Sequence, residues 1–208
     1  MKNRVLNNFL NNNDFIYLQN VISQEIKRRD SFQSVLNGQD VKYNLTEYSV
    51  ISPDMGRITL RNLPLTRELS NKFLQYAKDV TGLQDLEKRG NVFAEYNLKY
   101  GTPCLMPHYD AGDPNVLLDY QVYSNISWPL KIDEVEYLCD DNSVLNIYNT
   151  HQMHYRVPQK FNDGDVLGVL FFNYFSPSLN LNKLIQEDDF NKIAREVSLC
   201  QKNLNQKN

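Results

Sequence analysis

The segment Val166–Phe175 constrains the fold of this chain most strongly. Its sequence, VLGVLFFNYF, contains aliphatic and aromatic side chains apart from one glycine and one asparagine. A strand at the edge of a sheet has one side open to solvent and rarely has so continuous an apolar composition. The segment therefore predicts a strand in the centre of a sheet.

Several shorter β segments precede this strand between Asn91 and Phe175. Each is rich in β-branched or aromatic residues, and Gly, Pro, Asn and Asp lie in the connections, which is typical of an all-β sandwich or barrel. The predicted strands are Val92–Leu98, Asp119–Ile126, Leu130–Tyr137 and Ser143–Tyr148.

Helices and two further strands are predicted around this region. The first helix begins near Asn13 or Asp14, and the second is capped by Thr66 and ends before Gly82. Apolar residues at helical spacing mark their buried faces. These residues are Phe15, Leu18, Ile22 and Ile26 in the first helix, and Leu69, Phe73, Tyr76 and Val80 in the second. The two strands are Tyr43–Ile51 and Arg57–Arg61. A terminal helix has Phe190, Ile193, Ala194, Val197 and Cys200 on its buried face.

The predicted fold class is mainly β with flanking helices. We expect a single domain over residues 1–208, since this length supports one core. Within it, residues 1–90 form an N-terminal scaffold of helices and strands, 91–175 form the β core, and 176–208 form a terminal helix and tail.

Composition limits the classes of partner and compartment. A formal net charge of −3 disfavours nucleic acid as a partner. The three cysteines are an odd number at unrelated spacings, which does not fit a disulfide framework. No signal peptide or long apolar span is evident, so we expect a cytoplasmic protein without a membrane segment. The composition does not indicate an oligomeric state.

Two short motifs carry the candidate chemistry. In an extended segment, residues two apart face the same side, so His108 and Asp110 can direct a nitrogen and an oxygen to one metal. The same spacing places His154 and Arg156 on one face of a later strand. Two imidazoles and a carboxylate are the ligand set of a mononuclear iron(II) site with open positions. A His-x-Asp pair alone occurs often by chance, and its meaning depends on the second motif.

The region Val92–Phe175 resembles the iron(II)- and 2-oxoglutarate-dependent oxygenase superfamily. The matching residues are His108-Tyr109-Asp110 and His154, with His154-Tyr155-Arg156 resembling a bacterial and phage subgroup. Further ordered matches to that subgroup are Trp128-Pro129-Leu130, Asn146-Ile147-Tyr148, Pro158 and Phe171-Phe172-Asn173-Tyr174.

This resemblance implies a double-stranded β-helix, or jelly roll, with His108, Asp110 and His154 as ligands of Fe(II). It also implies 2-oxoglutarate and O2 as cosubstrates, with release of succinate and CO2. Related halogenases lack the carboxylate that Asp110 supplies, so hydroxylation is expected, although desaturation remains open. The expected substrate is a free amino acid, a peptidyl side chain or another small molecule. The alternative is a non-catalytic jelly roll that binds a metal or a small ligand.

The residues that bind 2-oxoglutarate are less clearly marked. Arg156 is the first candidate for its far carboxylate, because a guanidinium can form two parallel hydrogen bonds to a carboxylate. Lys160 and Arg61 are the alternatives, and Tyr100 is a candidate hydroxyl donor. His151 can replace His154 as the second histidine ligand, which would place Lys160 near the offset usual for the anchor. Trp128 is expected to be a packing residue.

Overall fold

In a computed structural model, the chain folds into two facing antiparallel sheets with helices outside the larger one. The structure describes residues 2–35, 49–110, 115–148, 152–179 and 192–199. The larger sheet has seven strands in the order β1-β9-β6-β11-β4-β3-β2, and the smaller has four in the order β5-β10-β7-β8. The strands are β1 Val5–Leu6, β2 Ser49–Ser52, β3 Arg57–Arg61, β4 Glu87–Asn97, β5 Leu105–His108, β6 Val116–Ser124, β7 Leu130–Ile132, β8 Val135–Tyr137, β9 Ser143–Ile147, β10 His154–Arg156 and β11 Val166–Phe175.

From β4 to β11 the chain alternates between the sheets. Strands β4, β6, β9 and β11 belong to the larger sheet, and β5, β7, β8 and β10 belong to the smaller. This alternation between two antiparallel sheets is a jelly roll, as predicted. Strand β11 lies fourth of seven, between β6 and β4, so the predicted central strand is confirmed.

The outer face of the larger sheet packs against two helices, α1 Asn12–Val35 and α2 Arg67–Thr81. Phe73 of α2 is fully buried and stacks on Phe172 of β11 with ring centroids 3.9 Å apart. Leu18 and Ile22 of α1 belong to the same apolar cluster. Leu69 belongs to this cluster too, and Phe15, Ile26 and Tyr76 pack against it. The predicted buried faces are therefore confirmed except at Val80, which is half-buried and not among the described members of the cluster.

The helix ends follow from local side-chain chemistry. The Thr66 hydroxyl accepts the N–H of Leu69 at 3.2 Å, and Gly82 ends α2 with a positive φ of 75°. At α1 the predicted cap was wrong by two or three residues. Asn11 is the cap, because its side-chain oxygen accepts the N–H of Asp14 at 3.0 Å.

The bounds of two strands differ from the prediction, since β4 covers Glu87–Asn97 where Val92–Leu98 was predicted, and β6 covers Val116–Ser124 where Asp119–Ile126 was predicted. Two further differences concern whole elements. The predicted strand Leu130–Tyr137 is a hairpin of β7 and β8, because Asp133 and Glu134 have positive φ values of 46° and 68° and turn the chain. Strand β1 was not predicted, since two residues are too few to show a periodicity.

Some predicted elements lie partly outside the described residues. Of the predicted strand Tyr43–Ile51, only residues 49–51 are described, within β2. Residues 192–199 are helical, and Val197 is buried in a cluster with Met153 and Tyr155, against which Ile193 also packs. Phe190 and Cys200 lie outside the described residues. Within the described part of the chain, no helix is long and apolar enough to cross a membrane.

The segment that contains β1 is joined closely to the β core. Strand β1 pairs with β9, and the side chain of Asn3 exchanges two hydrogen bonds with that of Gln152, at 2.7 and 2.9 Å. The side chain of Asn142 hydrogen-bonds both the N–H and the carbonyl of Leu10, at 2.8 Å each. The large sheet therefore includes residues from both before and within the predicted β core.

Candidate metal centre

The two site histidines lie opposite each other on neighbouring strands of the smaller sheet. Strands β5 and β10 are antiparallel, and His154 is the register partner of His108. Side chains of directly opposed residues lie close together in such a pair. The ring centroids are 4.2 Å apart with an angle of 54° between the ring planes. Strand pairing thus brings together residues that are far apart in sequence.

The Asp110 carboxylate faces both rings. Its Oδ1 lies 3.6 Å from Nε2 of His108, and its Oδ2 lies 3.6 Å from Nε2 of His154. One ligand atom from each of the three residues lies within 4.8 Å of the others. Ligands bound about 2.1 Å from a shared ion at right angles would lie roughly 3 Å apart, so a small contraction suffices for coordination.

Backbone carbonyls orient both imidazoles. The Nδ1 of His108 lies 2.7 Å from the carbonyl oxygen of Met106, and that of His154 lies 3.0 Å from the carbonyl oxygen of Gln152. A carbonyl only accepts, so each Nδ1 must carry the proton and donate it. Each Nε2 is left with its lone pair toward Asp110. Metal-binding histidines are usually fixed in this way by their second nitrogen.

Burial favours the neutral form of the second histidine. His154 is only 5% exposed. Burial first, and then the neighbouring His108, lower the pKa of His154 to about 4. Near neutral pH the ring is therefore uncharged, which is the form that can donate a lone pair to a metal.

The three residues line one wall of a cavity of about 360 Å³ between the two sheets. Apolar side chains from the smaller sheet and the neighbouring part of the larger one line this side of the cavity. These are Leu105, Leu117, Leu130 and Ile147. The opposite wall is more polar and includes Thr59, Asp119, Asn173, Arg57 and Arg61.

Arg57 and Arg61 reach the cavity from β3, which extends the larger sheet beyond β4. Arg57 pairs with Tyr96 in the register, and Arg61 pairs with Val92. The Nη1 of Arg57 donates to the Tyr96 hydroxyl at 2.9 Å, whereas its Nε is buried without a partner. A buried guanidinium N–H without a partner is costly, and a carboxylate bound in the cavity would satisfy it.

Arg156 lies in the interior as predicted, but it already has partners. Its guanidinium donates to the carbonyl of Trp128 and lies 3.7 Å from Oδ2 of Asp119, with both side chains 4% exposed. Asp119 lines the cavity, and Arg156 is not among the described residues that do. The geometry therefore favours Arg57 over Arg156 as an anchor, since a ligand carboxylate at Arg156 would have to compete with Asp119.

The other predicted residues lie elsewhere. The side chain of Lys160 is exposed to solvent and is not among the described cavity residues. Tyr100 belongs to the apolar cluster between the larger sheet and the helices, on the side away from the cavity. His151 lies outside the described residues. Arg61, a fallback candidate, does line the cavity.

Trp128 is a packing residue, as expected. It is 3% exposed and packs edge-on against Tyr96 and Phe161, with centroids 5.2 and 5.1 Å away. Its Nε1 donates to the carbonyl of Val157 at 2.8 Å. In the β4–β11 pair, Tyr96 lies toward the end away from Asn173, and none of the three aromatic residues is among the described residues that line the cavity.

Sequence reasoning missed Arg57 and Asp119. A signal for Arg57 was present, because Arg57, Thr59 and Arg61 alternate in a predicted strand and must share one face. Asp119 occurs within a predicted strand, and nothing in the sequence around it indicated that its carboxylate would pair with Arg156.

No protein-family model matches the sequence, and a search of the curated proteins finds no match either. Solved structures do match. HygX from Streptomyces hygroscopicus, with nickel, 2-oxoglutarate and hygromycin B bound, superimposes with a TM-score of 0.53 at 13% identity, over 89% of this chain and 88% of that one. A prolyl-4-hydroxylase from Pseudomonas putida gives a TM-score of 0.53 at 14% identity, over 84% and 92%.

A third structure, an oxidoreductase of the 2OG-Fe(II) oxygenase family from Burkholderia pseudomallei, gives a TM-score of 0.51 at 8% identity, over 83% of this chain and 84% of that one. At such identities the likeness concerns the fold. This chain shares the jelly roll of these enzymes over most of its length, and the resemblance in fold is confirmed.

Proposed function

We propose that the chain is an Fe(II)- and 2-oxoglutarate-dependent oxygenase that hydroxylates a C–H bond of a small-molecule, amino-acid or peptidyl substrate. The observation that carries the proposal is the arrangement of His108, Asp110 and His154. Two Nε2 atoms with free lone pairs face the two oxygens of one carboxylate, inside a cavity of a jelly roll.

The ligand set fits a redox-active metal. Two neutral imidazoles and one carboxylate occupy three positions and leave the remaining positions for other ligands. Iron(II) and 2-oxoglutarate, when bound together, supply oxidative decarboxylation to succinate and CO2 and the oxidation of a C–H bond by O2. Zinc would fit the same ligands but cannot do redox chemistry.

Arg57 is the proposed anchor for the far carboxylate of 2-oxoglutarate. It lines the same cavity as the three ligands, and its buried Nε has no partner. Tyr96, which accepts a hydrogen bond from Nη1 at 2.9 Å, holds the guanidinium in place. Arg156 then has a structural role as the counter-charge of Asp119.

The apolar part of the cavity serves to limit water at the site. Leu105, Leu130 and Ile147 belong to one buried cluster of the interior and line the wall beside the histidines. Excluding water strengthens the electrostatic interactions in a site and limits side reactions. These residues would also position an apolar part of a bound substrate.

The structural neighbours fit the proposed range of substrates. HygX was crystallised with the small molecule hygromycin B. A prolyl hydroxylase from Trichoplax adhaerens was crystallised with a peptide fragment. Both kinds of substrate are therefore reasonable for a jelly roll with this site.

The test uses purified protein under anaerobic conditions. Fe(II) and 2-oxoglutarate together should give a weak visible charge-transfer band, and admission of O2 should yield succinate. His108→Ala should lose both signals, because it removes one of the two nitrogen ligands of the proposed site. The control is Asp163→Ala, which removes an exposed aspartate outside the described cavity wall.

The outcomes separate the enzyme from a binding protein. A band that forms without any succinate on exposure to O2 would support the non-catalytic jelly roll. Succinate formation that survives in His108→Ala would contradict the proposed site. A screen of candidate substrates for increased succinate yield, with mass spectrometry for a product heavier by one oxygen, would then identify the substrate class.

A further inference from the structure

A polar groove of about 400 Å³ adjoins the metal cavity. The two share the inner face of β3 and the side chain of Asn173, so the groove continues from the cavity. Asn62, Asn91 and Arg89 line the groove but not the cavity. A molecule that reaches the metal centre from this side would thus contact the groove.

The charge of the groove is positive. Arg57, Arg61 and Arg89 line it, and no carboxylate is among its described lining residues. The whole chain has a formal net charge of −3, so this cluster departs from the average of the molecule. A concentration of one charge sign in a concave site attracts ligands of the opposite sign.

Arg61 is free to bind a ligand. It is exposed, and it makes no hydrogen bond or ion pair with any residue in the described part of the chain. It shares the inner face of β3 with Arg57 and Thr59, and its register partner is Val92, which lines both the cavity and the groove. Arg57 lies four residues deeper along the strand, opposite Tyr96.

Arg89 is held loosely and can change partner. Its Nη2 lies 3.2 Å from Oε2 of Glu87, and the side chains are 36% and 56% exposed. An exposed pair of this kind contributes little free energy and is easily exchanged. The guanidinium also lies over the Phe175 ring, 4.9 Å from its centroid, which supports its orientation without satisfying its N–H groups.

The backbone keeps the rim of the groove open. Gly90 has a φ of 143°, and an added Cβ there would lie 3.3 Å from the side-chain oxygen of Asn62. The Asn91 side chain is fixed by hydrogen bonds to the N–H and carbonyl of Leu63, at 2.7 and 3.3 Å. The groove is therefore bordered by neutral amides and two accessible guanidinium groups.

We infer that Arg61 and Arg89 bind an anionic group, a phosphate or a carboxylate, on the substrate whose C–H bond is oxidised. This inference rests on the proposed function for the oxidation step, whereas anion binding by the groove stands by itself. Arg57 is assigned to the cosubstrate, so the two outer arginines remain for the substrate. The substrate class is thereby narrowed to acidic small molecules or acidic peptides.

The test measures binding of phenyl phosphate and phenylacetate to the anaerobic protein loaded with Fe(II) and 2-oxoglutarate, by calorimetry. Benzyl alcohol is the neutral comparison. We expect at least one of the two anions to bind, more weakly as salt is added, and benzyl alcohol not to bind. The two anions separate a phosphate site from a carboxylate site.

Variants then locate the binding site. Arg61→Met should weaken binding about tenfold, and Arg61→Met with Arg89→Met should weaken it further, because each removes a charge-assisted hydrogen-bond donor. Arg61→Lys should keep part of the affinity. Arg28→Met is the matched control, since Arg28 is on the exposed surface of α1 and pairs with Glu25.

Failure of both anions to bind, or an affinity in the double variant equal to that of the unsubstituted protein, would overturn the inference. The same titration on metal-free protein measures anion binding without the metal and therefore does not depend on the proposed function. Anion binding that depends on Arg61 and Arg89, in a protein that forms no succinate, would uphold the groove and reject the oxygenase. Succinate formation without anion binding would support the oxygenase and reject the anion site in the groove.

Discussion

The surroundings of single arginine side chains determine which of them can bind a carboxylate in the cavity. Arg57 and Arg156 both lie near it, but they differ in what already surrounds them. Arg57 has a buried Nε without a partner, and Arg156 faces Asp119 at 3.7 Å. One arginine is thus available for a ligand, and the other is needed by the protein.

Arg57→Met should weaken 2-oxoglutarate binding by a factor of ten or more. The loss of one charge-assisted interaction with a carboxylate costs about 1.5–3 kcal/mol. The measurement is the KM for 2-oxoglutarate in uncoupled succinate formation, together with the Kd for Fe(II). We expect the Kd for Fe(II) to stay constant, since Arg57 is not a ligand. An unchanged KM would move the anchor away from Arg57.

Arg156→Met should instead destabilise the fold by about 3–5 kcal/mol, because it leaves a buried carboxylate without its counter-charge. Burial raises the pKa of Asp119, and Arg156 opposes that rise. Chemical denaturation measures the free energy of unfolding. The double variant Arg156→Met with Asp119→Asn should recover part of the loss. Full stability in the single variant would show that Asp119 is not held by this pair.

The candidate site was predictable only in part at this scale. Alternation in an extended segment predicted that His108 faces the same side as Asp110, and His154 the same side as Arg156. The choice of His108, Asp110 and His154 as one ligand set came from the resemblance to the oxygenase superfamily. The inward direction of Arg156 followed from the alternation. Its pairing with Asp119 did not, since that contact crosses from one sheet to the other and depends on the packing of the two. Tyr100 illustrates the same limit, because a position near a strand end does not reveal the side of the sheet.

Among the elements, β11 is the central strand of the larger sheet, and its one glycine allows a close contact. A Cβ added at Gly168 would lie 2.6 Å from the Cε2 and Cζ atoms of Tyr123. The ring cannot easily move, because its hydroxyl donates to Oε2 of Glu95 at 2.6 Å. Strand β11 therefore needs glycine here for space, since Gly168 is not among the residues with positive φ.

Gly168→Ala should lower the free energy of unfolding by about 1–3 kcal/mol through overpacking. Thermal or urea unfolding measures the change. A second variant, Gly168→Ala with Tyr123→Ala, also removes the ring. Adding Tyr123→Ala to the Gly168→Ala protein should cost less free energy of unfolding than adding Tyr123→Ala to the unsubstituted protein. Additive losses in the double variant would contradict the proposed contact.

Strands rich in apolar and β-branched residues were predicted well, whereas a very short strand and a turn inside a predicted strand were missed. Segments β3 and β11 match their predicted ranges. Strand β11 is apolar over nearly its whole length, and β3 has Ile58, Thr59 and Leu60 at its centre. The turn at Asp133 and Glu134 was missed, since neither residue is a glycine and both adopt positive φ through local context. The two-residue β1 is determined by its partner β9 and not by its own sequence.

For the whole molecule, metal binding and folding should be linked. The ligands come from β5, the residues just after it and β10, and they are brought together only when the smaller sheet forms. A metal that binds only this folded arrangement stabilises it by about 2.7 kcal/mol at a concentration 100 times its Kd. Since the unfolded chain lacks this arrangement, chelation should lower the melting temperature.

We expect removal of the metal with a chelator to lower Tm by roughly 5–10 °C for a chain of this size, without unfolding it at 25 °C. Anaerobic thermal unfolding with and without Fe(II) measures the shift. The shift should vanish in His154→Ala, which lacks one ligand. A full shift in that variant would indicate that the metal binds elsewhere.

The hydrogen bonds of Asn3, just before β1, have a consequence for the order of assembly during synthesis. Asn3 donates to the carbonyl of Asn146, 143 residues along the chain. Asn3 therefore cannot reach this partner during synthesis until the 143 residues that follow it have been made. Asn3 also bonds Gln152, whose carbonyl orients His154. The contacts that join this segment to the larger sheet thus lie beside the metal centre, so that metal uptake would be sensitive to whether the segment has docked.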